Sequence, residues 1–260
     1  MTDARSPFAR RLSLPPRTGW RVDFPDIIIH TTVSLRDAHP SYSKAKAANA
    51  TAALLLAQDL LSPASIAELK RIVGADGAIL LPVTALEMTG FNAIPDAMSN
   101  ILSKTLGWPI SVGDVVQNNR VGHTRALAFN RLVTPAAFEG RIIKNADYVL
   151  VDDHVGLGGT LANLKGHIES AGGHVVAMTT LTESREARRI ALQSDVLDML
   201  RTHHGEGLEN LWKEQFGHGL DCLTNVEGGI LCREQTLESI RNRLAQAAIE
   251  VRRRGLDPGF

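Results

Sequence analysis

The chain has 260 residues, 44% hydrophobic and 22% charged, which suits one sizeable α/β core with an added helical piece. Lys+Arg and Asp+Glu both total 28, and a net charge of 0 argues against a dedicated nucleic-acid binder, whose phosphate-tracking surface needs a basic excess. No run of roughly 18 apolar residues points to a membrane span, the Arg-bearing N-terminus lacks the apolar centre of a secretory signal, and Cys222 and Cys232 form no CxxC, so a cytoplasmic location is expected.

Residues 1–24 read as a loosely held arm, stiffened locally by Pro15 and Pro16. Ile27 to Val33 is β-rich and predicts a short strand. Ser43 to Leu61 is too rich in helix formers and too long for a strand, so it predicts a helix. Ser62 and Pro63 then supply an N-cap and a first-turn proline for a second helix, which Gly74 ends. Ala78 to Leu81 is short and apolar, as a buried parallel strand should be. Pro95 to Leu106 carries Met98, Ile101, Leu102 and Leu106 near helical spacing, and Trp108 to Val112 returns to strand. Asp147 to Val151 is another strand, followed by a Gly-rich turn and a helix bearing Leu161, Leu164 and Ile168 on one face. Gly172 and Gly173 stop that helix, and His174 to Leu181 forms the next strand.

Strand, helix, strand at this spacing implies a mostly parallel central sheet with helices on both faces, across residues 25–185 with its N-terminal hood elements. From 186 to 260 the strand signals fade. Residues 191–200 and 209–217 read as helices. The last helix places Leu237, Ile240, Leu244, Ala248 and Val251 on one stripe and ends in Arg252, Arg253 and Arg254. The expected plan is an arm, an α/β domain and a helical C-terminal extension. His203, His204 and His218 lack a zinc-site spacing and are expected to pack or face solvent.

The chemistry concentrates in residues 148–160, Tyr-Val-Leu-Val-Asp152-Asp153-His-Val-Gly156-Leu-Gly158-Gly159-Thr160. In an open parallel sheet, ligands sit beyond the carboxyl ends of strands, so two carboxylates at a strand's mouth are well placed. Asp152 and Asp153 suit the vicinal hydroxyls of a ribose, or water around Mg²⁺. Three glycines in the next few residues bring bare N–H groups close to an anion. The helix start near Thr160 aims its free amides and dipole at the same point. The order of acids before glycines does not match a dinucleotide fingerprint, and GxxxxGK[ST] is absent.

This segment resembles the phosphoribosyl-diphosphate (PRPP) motif of type I phosphoribosyltransferases: apolar strand, two acids, short turn, then a phosphate loop ending in Thr. It departs from that motif at His154, where an apolar residue is usual, and at Leu157, where Thr is common. The resemblance implies a Mg²⁺-dependent enzyme that transfers ribose 5-phosphate from PRPP to a nitrogenous base and releases diphosphate. It places Asp152 and Asp153 at the ribose and metal, and Val155, Gly156, Leu157, Gly158, Gly159 and Thr160 around the 5-phosphate. It also places Thr84, Ala85 and Leu86 at the diphosphate. A basic flexible loop is expected over the site, within a 115–138 segment that holds Arg120, His123, Arg125 and Arg131 and no acid, with Arg120, His123 and Arg125 as its candidates. A small-molecule substrate and a homodimer follow from the same resemblance. The rival expectation is a non-catalytic regulatory protein that keeps the ribose-phosphate site to bind PRPP or a nucleotide.

Overall fold

The computed structural model describes residues 15–33, 39–87, 90–119, 121, 127–256 and 258. Four strands form one parallel sheet in the order β1 (Ile28–Ile29), β8 (His174–Glu183), β7 (Asp147–Val155), β2 (Ile79–Pro82). Two small antiparallel pairs lie outside it: β3 (Leu86–Glu87) with β4 (Gly90–Phe91), and β5 (Val115–Gln117) with β6 (Phe138–Gly140). The expected strand at 108–112 is reduced to one parallel bridge, Ile110 beside Leu80.

The pleat explains the layering, because alternate side chains leave opposite faces. Val149 and Val151 of β7 join Ala177, Leu181 and Leu80 in a core beneath α2 (Ala50–Leu60), α3 (Pro63–Val73) and α4 (Ile94–Leu106). Tyr148 and Leu150 face the other way, with Val175, Met178 and Leu81, against Leu161, Leu164 and Ile168 of α6 (Gly159–Ser170). The architecture is therefore a small parallel sheet flanked by helices.

A third core is helical. It gathers Leu200, Leu208, Trp212 and Phe216 of α7 (Ser194–Phe216), Leu231 of α8 (Asn225–Leu231), and Ile240, Leu244 and Val251 of α9 (Leu237–Arg253). Phe129 and Leu132 of α5 (Ala128–Leu132) join it from the middle of the chain. Several boundaries differ from the sequence expectation. The helix expected from 43 to 61 is two, α1 (Tyr42–Lys46) and α2, because Ala48 turns left-handed (φ 67°) and the Asn49 side chain caps Ala52 N–H. The two helices expected at 191–200 and 209–217 are the two arms of α7, parted where Gly205 takes φ 58° and ψ −160°. Ser62 caps α3, with Pro63 in its first turn.

Among the described residues no single helix is long and apolar enough to cross a membrane.

Candidate functional site

The turn after β7 stands at the carboxyl rim of the parallel sheet, between strands that run the same way on either side. Gly158 takes a left-handed conformation (φ 83°), which a residue without Cβ adopts at little cost, and α6 starts directly after it. The N–H groups of Gly156, Leu157, Gly158, Gly159 and Thr160 donate to no acceptor among the described residues, while Ala162 N–H already bonds Gly158 C=O. Five amides without a partner among the described residues, at a helix start, give the turn a positive bias.

A guanidinium lies against the turn. A side-chain carbon on Gly156 would sit 2.6 Å from Arg131 Nη1, so a larger residue there would displace the arginine. Arg131 is half-buried on α5, and its buried Nε has no partner among the described residues. Burial lowers its pKa from an ordinary value far above neutrality. Sequence reading had grouped Arg131 with a basic stretch and favoured Arg120, His123 and Arg125, which lie outside the described residues. The helix Ala128–Leu132, with Phe129 and Leu132 anchored in the helical core, is what aims Arg131 at the turn.

From the far side the turn is clamped by the C-terminal helices and the arm. Thr224 Oγ1 donates to Leu157 C=O at 2.5 Å. Thr224 also forms a capping box with Glu227, accepting from Glu227 N–H while the Glu227 carboxylate accepts from Thr224 N–H. That carboxylate is gripped by both arms of Arg17, at 2.6 and 2.9 Å, while Arg17 Nε donates to Asn163 Oδ1 at 2.6 Å. Burial opposes the charge on Glu227, but the Arg17 charge and hydrogen bonds outweigh it and hold the carboxyl below its ordinary value. None of Arg17, Thr224 and Glu227 carries a local motif pointing to this turn. Only the Thr-x-x-Glu spacing of a capping box was available in the sequence.

The two acids lie within β7, which runs on to Val155, and not beyond its end. Both are buried. Asp152 accepts from the N–H of Asp153 at 2.8 Å, and burial followed by the neighbouring Asp153 charge pushes its carboxyl well up. Asp153 Oδ2 accepts from Lys46 Nζ of α1 at 3.1 Å. His154 reaches Thr182 Oγ1 and Ser184 Oγ, and burial lowers its pKa. Thr84 and Ala85 follow β2 at the same rim, where Thr84 C=O accepts from Gln117 N–H and the buried Thr84 Oγ1 has no partner. Leu86 has moved into the β3–β4 pair.

This arrangement corrects the metal expectation. Asp153 is paired with Lys46, and burial raises the pKa of Asp152 well above its ordinary value. Among the described residues no group of three or more His, Cys, Asp or Glu side chains converges as a metal site.

No family model matches the chain. In sequence it is similar to Protein TraN of Escherichia coli, 36% identical over 228 residues, which cover 88% of this chain and 51% of that protein. It is also similar to an uncharacterized protein of Haemophilus influenzae, 40% identical over 152 residues, covering 58% of this chain and 34% of the other. The chain thus spans about half the length of TraN. The Leishmania donovani UMP synthase structure aligns with a TM-score of 0.32 at 16% identity, over 76% of this chain and 34% of that one, too distant to bear on function.

The relation to TraN overturns the phosphoribosyltransferase reading, and with it ribose 5-phosphate transfer, PRPP and Mg²⁺ as cofactors, and a small-molecule substrate as the partner. The cytoplasmic location, which rested on missing sorting signals and that enzyme reading, is overturned with them.

Proposed function

We propose that this chain is a non-catalytic regulatory module of a longer protein, which binds the phosphate of a nucleotide at the turn after β7. Its occupancy is passed to neighbouring protein segments and not into bond-making. The carrying observation is the Arg131 guanidinium, set against Gly156 in a turn of five backbone amides, with neither its buried Nε nor those amides partnered among the described residues. A phosphate supplies the negative charge and several acceptors that such a set of donors lacks. The absence of bond-making chemistry is supported by the acid pair. Asp153 is tied to Lys46 and burial raises the pKa of Asp152 well above its ordinary value, while the pair still offers oxygens to a ribose hydroxyl edge.

Calorimetric titration with inorganic phosphate and with nucleoside mono-, di- and triphosphates tests this reading. Binding is expected with nucleotides ahead of phosphate, with no release of diphosphate or phosphate over hours. Arg131→Gln removes a charge-assisted contact of about 1.5–3 kcal/mol and should weaken binding by about one to two powers of ten. No binding at millimolar concentrations, or unchanged binding in that variant, sinks the reading.

A further inference from the structure

We propose that Arg17 and Glu227 form a built-in competitor for the turn: a bound phosphate draws Arg17 off Glu227, and this loosens the N-terminal arm. The inference rests on the turn binding phosphate and adds how that binding is set and reported. Glu227 Oε1 lies 2.8 Å, and Arg17 Nη2 3.2 Å, from the point that a side-chain carbon on Gly159 would take. Both charges of the pair therefore stand against the first residue of α6, whose amide belongs to the turn. The side chains are 7% and 3% exposed, so water screens them little from an arriving anion. The carboxylate repels a phosphate at the turn and the guanidinium attracts it.

The pair is also free to part. Arg17 keeps its Nε bond to Asn163 when the fork turns, so the two Glu227 contacts and the longer one from Nη1 to Cys222 C=O are what is exchanged. Glu227 retains the N–H of Thr224 as a donor after the exchange. What loosens is readable in the arm itself. Arg17 is followed by Thr18, bonded to Lys165 and Glu169, and by Trp20, whose indole donates to Leu223 C=O at 2.7 Å and lies beneath Lys165.

The test uses the full chain with inorganic phosphate and with AMP as probes, and compares wild type, Glu227→Gln and Arg17→Gln. Neutralising Glu227 leaves a net positive pair and is expected to tighten binding about tenfold. Neutralising Arg17 leaves an unpaired carboxylate and is expected to weaken it by at least tenfold. In wild type, saturating AMP is expected to shift Trp20 fluorescence and to speed tryptic cleavage after Arg17 and Arg21 several-fold. This arm readout needs no variant, so a poorly folding Arg17→Gln chain leaves the inference exposed to refutation. Equal affinities in wild type and Glu227→Gln, or an arm indifferent to AMP while AMP binds, overturn the competition and leave the phosphate site standing. Binding by none of the three proteins overturns both.

Discussion

Asp152 and Asp153 are adjacent, yet their environments differ. Asp153 is buried with a cation 3.1 Å away, whereas Asp152 has only the Asp153 N–H and a like-charged neighbour. A carboxyl whose folded pKa is raised contributes stability below its unfolded pKa near 4 and loses it as pH rises through the folded value. Stability of the wild-type chain should therefore carry a declining component above pH 4. Asp152→Asn, which resembles the protonated acid in shape, should remove that component. Urea unfolding of both chains from pH 4 to 8 checks this, and parallel pH curves would contradict it. The acids and the glycine turn were legible in the sequence because they lie in one short run. Arg131 was legible only as a charge in a basic stretch, since its aim is set by Phe129 and Leu132 gripping a distant helical core. The Glu227 contact with Arg17 spans 210 residues, and no local spacing announces it.

At the level of elements, long apolar runs were read as helices correctly, and so was the break around Gly205, but the break at Ala48 was not. Ala48 interrupts its run through a backbone angle that composition does not reveal. The short α8 was missed because its core contribution, Leu231, comes with two glycines that depress helix propensity. Those glycines have differing surroundings: Gly228 packs against Leu192 and Val196, whereas a Cβ on Gly229 would meet nothing. A close meeting of elements is the arm crossing α6 at Gly166, where a side-chain carbon would lie 2.0 Å from Pro16 C=O. Gly166→Ala should lift the arm from α6 even though alanine is the better helix former. Faster tryptic cleavage after Arg17 and Arg21, with a loss of about 1–3 kcal/mol in unfolding free energy, is the expected result. A variant as protease-resistant as wild type would show that the crossing yields without cost.

The molecule as a whole joins a two-faced parallel sheet to a separate helical core. The sheet was legible because short apolar runs alternate with amphipathic helices, and the burial of Val149 and Val151 on one face and Tyr148 and Leu150 on the other follows from the pleat. The order of its strands was not legible, because β1 contributes only two paired residues and lies far from β8 in the chain. Two histidines in different layers give the whole fold an acid sensitivity: burial lowers both His30 and His218 to about 4. For a base with a depressed folded pKa, stability is full above the unfolded value near 6.5 and is lost as pH falls toward the folded one. Each histidine should remove on the order of 3 kcal/mol between pH 6.5 and 4. Urea midpoints at pH 7 and pH 4.5 measure this, and His218→Gln should lessen the difference. A midpoint that does not move would count against neutral burial.

The Arg17 fork has a temporal consequence. During synthesis, the residue that closes the back of the turn leaves the ribosome early and waits through 210 more residues for its acidic partner. The last strand of the parallel sheet ends at Glu183, so every residue of the sheet and of the turn after β7 is synthesised before the acid that pairs with Arg17.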